Sequence, residues 1–316
     1  MIERAFALTL LAACGVSPRA VPDAGPDAVG FDAECPAIDF IPTPTTPSIE
    51  LLIDRSGSMA TDIGGNTRFE AVREALVGPD GVVTTRQADA YFGASLYSSD
   101  MPCPTLETVA RGRDNRDAIA LLLANQTPLG ETPTGVAIDR VALAFADDPP
   151  PQFSVPVIVL ATDGAPNTCD GTSDGARKAI DAAYAAHAGG IRTFVLGIGE
   201  EATANHLQAM ANAGVGVLPG EPDAAYYTAE DPQELAAAFD AVIAGVLTCE
   251  LSIDGRVDPA TAITGTVTLD GTTLVYGTDW LVIDDRTLRL LGSACAALEA
   301  SPAPMVHATF PCAVVR

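Results

Sequence analysis

The sequence predicts an α/β protein, a doubly wound and mostly parallel sheet with a small C-terminal β-rich appendage. Three observations lead there. Apolar runs such as residues 51–53 and 155–161 are continuous rather than alternating, as in strands covered on both faces. Between such runs lie amphipathic or Ala-rich stretches that begin at capping residues and stop at glycine. After Cys249 the texture changes to Thr, Val and Leu with Gly-containing turns, which is the pattern of short antiparallel strands.

Taken along the chain, residues 49–53 read as a buried strand. Thr67, Arg68, Phe69 and Glu70 form a capping-box sequence ahead of a helix through Val77. Residues 91–97 and 105–110 read as the two arms of a hairpin-like pair, and residues 115–124 as a helix. Thr132-Pro133 opens another helix, with the proline in its first turn. Residues 155–161 form a strand that tolerates Pro156 only at its start. An Ala-rich helix over 173–187 ends at Gly189-Gly190, and a strand follows over 191–198. Residues 202–213 and 232–247 are helical, with a short strand near Tyr226 between them. In the appendage, "ITGTVTLDGTTLV" and "DWLVIDDRTLRLL" are strand-rich, residues 294–300 suit a short helix and 305–310 alternate again. Trp280 belongs in its core.

A hydrophobic content of 48% over 316 residues is enough for a substantial core. The formal net charge of -24 leaves no basic excess to displace counterions from phosphates, so a nucleic-acid partner is not expected. Residues 1–14 combine a minimal charged start with a short apolar run, a signal-peptide pattern too short to span a bilayer. The run Leu11-Ala12-Ala13-Cys14 resembles the lipobox of bacterial lipoproteins, which implies acylation of Cys14, a membrane partner through that lipid, and a place in the bacterial cell envelope, at the outer membrane, or secretion. Residues 15–47, rich in Pro, Ala, Asp and Gly, read as a flexible tether and lead-in. Setting Cys14 aside leaves six of the seven cysteines, an even number that suits an oxidising compartment and allows 15 connectivities. The three histidines lie far apart in sequence, which argues against zinc.

Ligands of open parallel sheets bind beyond the carboxyl ends of the strands. Asp54, Ser56 and Ser58 lie there in "LLIDRSGSM", Asp163 lies there after "VIVLAT", and "LGETPTG" offers Thr132 ahead of a helix. All five are oxygen donors, the class suited to Mg²⁺, Ca²⁺ or Mn²⁺. Thr134 is a second threonine in the same segment. A pair of helix caps would not require the distant Thr132, and a serine hydrolase would present GxSxG with a partnered histidine, which "DRSGS" does not.

"DRSGS", "GETPTG" and "ATDG", in that order, resemble the metal-ion-dependent adhesion site of von Willebrand factor type A domains over residues 48–247. The resemblance implies a Rossmann-like fold, with Asp54, Ser56, Ser58, Thr132 and Asp163 around a magnesium, calcium or manganese ion. It also implies that a protein or other partner supplies a carboxylate to the free coordination position. Type A domains bring their ends together, which implies a Cys35–Cys249 disulfide. Cys103–Cys169 would then brace the loops around the ion, and Cys295–Cys312 would close the appendage, residues 248–316. The function so implied is adhesion rather than catalysis, by an exported, lipid-anchored protein that captures an acidic group through the cation. The alternative is a cell-envelope scaffold in which the metal only stabilises the loops.

Overall fold

The computed structural model describes residues 37–315 apart from 42, 45, 152–153, 200–203, 218–219, 221, 248, 302–303 and 313. Cys14, Cys35 and most of the tether therefore lie outside the described residues. Two short strands, β1 (Ile38–Phe40) and β2 (Thr43–Pro44), precede the first long one, β3 (Ser48–Asp54). A 3-10 turn at Gly57–Ala60 and a small hairpin, β4 (Asp62–Ile63) with β5 (Asn66–Thr67), lead into helix α1 (Arg68–Val77). The short helix α2 (Val82–Arg86) is followed by β6 (Tyr91–Ser98), β7 (Thr105–Gly112), α3 (Arg116–Leu123), α4 (Thr134–Asp147) and β8 (Pro156–Thr162). Then come α5 (Gly175–Ala188), β9 (Arg192–Ile198), α6 (Ala204–Val215), β10 (Tyr227–Ala229) and α7 (Pro232–Leu247). The remaining strands are β11 (Glu250–Ser252), β12 (Thr266–Leu269), β13 (Thr272–Leu274), β14 (Trp280–Asp284) and β15 (Thr287–Leu290), and after helix α8 (Gly292–Ala300) the last is β16 (Val306–Phe310).

The central sheet has the order β10-β9-β8-β3-β6-β7, parallel throughout except for the antiparallel edge pair β6–β7. Its inner strands β3, β6, β8 and β9 are buried on both faces, which explains their largely apolar sequences. Ile49, Leu51, Ile53, Val157 and Val159 pack with Phe69, Val72 and Leu76 of α1, Ile119 and Leu123 of α3, and Phe239 and Ile243 of α7. Leu52, Ile158 and Leu160 point the other way, onto Ile138 and Val141 of α4, the alanines of α5, and Leu207 and Met210 of α6. Small residues let α4 and α5 approach closely: a methyl on Gly135 would lie 2.7 Å from the Lys178 carbonyl carbon. Pro156 is the first residue of β8, where its missing N–H is tolerated. Pro133 stands immediately before α4 rather than inside its first turn.

The appendage consists of two four-stranded sheets, β1-β16-β12-β13 and β14-β15-β11-β2, around a separate core. Trp280 is 1% exposed, stacks edge-on against Phe310 and donates its indole N–H to the Leu274 carbonyl. Phe40, from the lead-in, meets Phe310 with ring centroids 6.1 Å apart. The lead-in is thus not all tether: residues 38–40 pair with β16 and residues 43–44 with β11. Among the described residues no helix is long and apolar enough to cross a membrane.

The disulfides correct part of the expected scheme. Cys103 and Cys169 are joined, with Cα atoms 5.6 Å apart. Cys249 is joined not to Cys35 but to Cys295, so the expected Cys35–Cys249 and Cys295–Cys312 pairs are both overturned. The reason is the sheet. β11 runs beside β15, the Leu290 N–H bonds the Cys249 carbonyl, and α8 starts directly afterwards. Its first turn therefore brings the Cys295 Cα to 5.3 Å from that of Cys249. Cys312 is disulfide-bonded as well.

Candidate metal centre

β3 and β8 are neighbours at the middle of the sheet, and the chain departs from them toward opposite edges. The crevice beyond their carboxyl ends is therefore a topological switch point, where such sheets place their ligands. Asp54 ends β3, and Asp163 directly follows β8. Thr132 precedes α4, and its loop is tied to the first one by a Gly57 N–H bond of 2.9 Å to the Gly130 carbonyl.

The side chains form a continuous polar chain. Asp54 is fully buried. Its Oδ1 accepts the Ser56 N–H at 2.8 Å, and its Oδ2 accepts the Thr162 hydroxyl at 2.8 Å. The Ser56 and Ser58 hydroxyls are 3.0 Å apart, and Ser58 donates to Asp163 Oδ1 at 2.7 Å. Asp163 is also fully buried, and its Oδ2 accepts Nη1 of Arg68 at 2.8 Å. A methyl group on Gly164 would lie 3.7 Å from Ser58 Oγ and 3.8 Å from Thr132 Oγ1, so the three loops meet at that glycine. Thr132 is held there by Asn167, which accepts its N–H at 3.2 Å and donates its own N–H to the Thr132 carbonyl at 2.8 Å. Thr134 is engaged elsewhere: its hydroxyl lies 3.1 Å from the Tyr97 hydroxyl. Asp54, Ser56, Ser58, Thr132 and Asp163 are thus brought together.

Burial pushes the Asp54 carboxyl up to about 6, and the neighbouring charge of Asp163 pushes it the same way. Two carboxylates buried side by side, with three hydroxyls in reach, form an environment that a hard divalent cation suits. It would offset both the desolvation and the repulsion. The surrounding loops are fixed in other ways. Cys103–Cys169 ties the loop after β6 to the loop after β8. Arg55, beside Asp54, bonds Ser98 Oγ and Asp100 Oδ2, both at 3.1 Å.

The sequence reading missed Arg68, Thr162 and Asn167 as members of this centre. Arg68 did leave a signal. It is the first residue of α1, where the helix dipole disfavours a cation, so it needs an acidic partner from elsewhere.

Solved structures resembling this chain include the pilus adhesin SpaC from Lactobacillus rhamnosus GG, at 15% identity, with 85% of this chain and 40% of that chain covered and a TM-score of 0.49. A von Willebrand factor type A protein from Catenulispora acidiphila matches at 16% identity over 86% and 59% of the two chains, with a TM-score of 0.48. Manganese-loaded TRAP protein from Plasmodium vivax matches at 20% identity over 66% and 78%, with a TM-score of 0.47. No curated protein matches the sequence. The von Willebrand factor type A domain matches residues 49–241, more than half of the chain. By that match, together with the doubly wound sheet it covers, the chain belongs to the von Willebrand factor type A domain family.

Proposed function

We propose that this protein is an exported, lipid-anchored adhesion protein that captures an acidic group of a partner through a divalent cation. Asp54, Ser56, Ser58, Thr132 and Asp163 would hold the ion, Mg²⁺ or else Ca²⁺ or Mn²⁺. The observation that carries the reading is the hydrogen-bonded run from Asp54 through Ser56 and Ser58 to Asp163, with Thr132 at the same glycine. When bound, the cation supplies a localised positive charge that accepts a carboxylate oxygen from the partner. The chain's own residues do the rest. Asp54 and Asp163 balance the dication, and the hydroxyls complete its shell without adding charge. Arg55, Asn167 and the Cys103–Cys169 bridge keep the three loops from moving apart. On a protein of net charge -24 such a centre would be a local exception, drawing an anionic group at short range while salt screens the wider repulsion over about 8 Å.

Export and anchoring rest on residues 1–14 and Cys14. Cys14→Ser is expected to block incorporation of labelled fatty acid and to release the protein from membrane fractions. The adhesion reading is tested by crosslinking on intact cells in Mg²⁺ and in EDTA, with Asp54→Asn as control. Partner capture in Mg²⁺ only, lost in the variant, supports it, and equal capture in EDTA overturns it. The Ser58–Asp163–Arg68 network favours one second reading, a scaffold whose loops are merely stabilised by the ion. In that case EDTA lowers the melting temperature and leaves every crosslink unchanged.

A further inference from the structure

We propose that Met101 and Leu129 form an apolar rim beside the metal centre, and that the partner is a protein presenting an acidic side chain with a large apolar one next to it. The carboxylate meets the cation while its apolar neighbour lies on the rim. The inference rests on the metal-binding reading above and names the partner class of that same site.

A single exposed apolar side chain carries no meaning by itself, but two on adjoining loops at a candidate site do. Met101 is 88% exposed, the most of any large apolar side chain among the described residues, and Leu129 is 59% exposed. Their loops are zipped together. The Ser99 N–H bonds the Glu131 carbonyl at 3.1 Å, and the Glu131 N–H bonds Ser99 Oγ at 2.7 Å. Gly130, next to Leu129, has a φ of +80°. A methyl there would lie 3.0 Å from Ser99 Oγ and 3.5 Å from Oδ1 of Asp100, the residue before Met101. The same Gly130 gives its carbonyl to the N–H of Gly57, which stands between Ser56 and Ser58. Leu129 donates its own N–H at 2.9 Å to the carbonyl of Arg55, the residue after Asp54. Each rim residue is thus one step along the chain from a contact with the loops that meet at the centre.

The rim loops are also fixed. The Arg55 guanidinium bonds Asp100 at 3.1 Å, lies 3.6 Å from Glu107 and reaches the Thr127 carbonyl at 3.5 Å, so one side chain spans both loops. Cys103, two residues beyond Met101, is bridged to Cys169 in the loop after β8. A backbone held in this way loses little further freedom when a partner docks, while the unbranched Met side chain adapts to the surface it meets. The chemistry of the partner follows from the two kinds of group side by side. A cation selects a carboxylate. Met and Leu offer no hydrogen-bonding group, so they stabilise only apolar surface. An acidic polysaccharide surrounds its carboxylates with hydroxyls, which would be stripped of water against this rim without compensation. A polypeptide can set Asp or Glu directly beside a Leu or Phe. Against a net charge of -24, which opposes an acidic partner at long range, the apolar contact adds an attraction that salt does not screen.

The test uses the full chain in Mg²⁺ with two fluorescein-labelled peptides read by anisotropy, Gly-Glu-Leu-Gly and Gly-Glu-Ser-Gly. Uptake of Mn²⁺ alone is followed in parallel by electron paramagnetic resonance. Wild type is expected to bind the leucine peptide about ten-fold more tightly than the serine peptide, and neither in EDTA. The double variant Met101→Ser with Leu129→Ser should bind the two peptides alike, with Mn²⁺ affinity and melting temperature unchanged. Met101→Leu should keep the preference. Equal binding of the two peptides by wild type, or a preference that survives in the double variant, overturns the inference and, with Mn²⁺ still bound, leaves the metal site standing. A wild-type protein that takes up no Mn²⁺ overturns both. Two further outcomes overturn it by naming another occupant. One is trigalacturonate displacing the leucine peptide equally well from wild type and the double variant. The other is Mg²⁺-dependent dimerisation in light scattering that is lost in the double variant, which would give the rim to a second copy of this chain.

Discussion

Asp54 and Glu50 lie four residues apart on one buried strand and make opposite demands on their surroundings. Asp54 accepts two hydrogen bonds and still has its carboxyl pushed up to about 6 by burial and by Asp163. Asp54→Asn keeps the shape and removes the charge. It is expected to abolish the Mg²⁺-induced rise in melting temperature without lowering the value in EDTA, since an uncompensated buried charge is what the substitution deletes. Differential scanning fluorimetry with and without Mg²⁺ checks this. Glu50 is engaged outside the candidate centre. It accepts the Ser95 hydroxyl at 2.6 Å and pairs with Arg111 at 3.3 Å, yet burial dominates and pushes its carboxyl from 4.5 up to about 7. The folded state then holds a proton that the unfolded chain has released, so stability falls as pH rises from 4.5 to about 7. Relative to wild type, Glu50→Gln should gain stability across that window, by up to about 3 kcal/mol, in urea titrations at a series of pH values. At this scale the residues that meet at the candidate centre were legible because each sits in a local motif at a strand end or helix start. Thr162 and Asn167 were not, and Arg68 only as a cation at a helix start, because what they do depends on contacts such as Arg68–Asp163 that join distant segments.

Helix α1 links sequence pattern to the centre most directly. Thr67 caps it by accepting the Glu70 N–H at 3.1 Å, and the Glu70 carboxylate accepts the Thr67 N–H at 2.9 Å, the reciprocal pair that the sequence announced. Because Arg68 is the next residue, the cap also fixes where the guanidinium starts. Thr67→Ala is expected to cost about 1 kcal/mol in urea denaturation. Most long elements were readable from periodicity and stop signals to within a few residues, from β3 to α7. The short ones were not. β4 and β5 have two residues each and α2 has five, too few to establish a period. β1 and β2 lie in a proline-bearing stretch that reads as linker, and their partner strands are more than 200 residues away. No local signal could assign them.

Across the whole molecule, one acidic side chain ties the central sheet to the appendage. Glu250 of β11 is 1% exposed and receives Arg192 of β9 in two contacts, of 2.5 and 2.6 Å, and Arg289 of β15 at 2.6 Å. Glu250→Ala leaves the buried Arg192 uncompensated and is expected to cost about 3–5 kcal/mol, read as a lower urea midpoint. Replacing Arg192 by methionine as well should restore part of the loss. The division into a parallel sheet and a β-rich module was visible in composition. The way they are joined was not, since Arg192 and Glu250 lie in separate segments that meet only when β9 and β11 are folded together. The strand order of the β module has a further consequence. Pro44 of β2 and Leu251 of β11 are antiparallel register partners, so the chain leaves the β module and returns to it at adjacent points. The von Willebrand factor type A domain is thus a cassette spliced into what would otherwise be a hairpin. Excising it and bridging the gap with a short turn should leave a self-closing β scaffold, and a foreign domain with neighbouring termini could be grafted in its place.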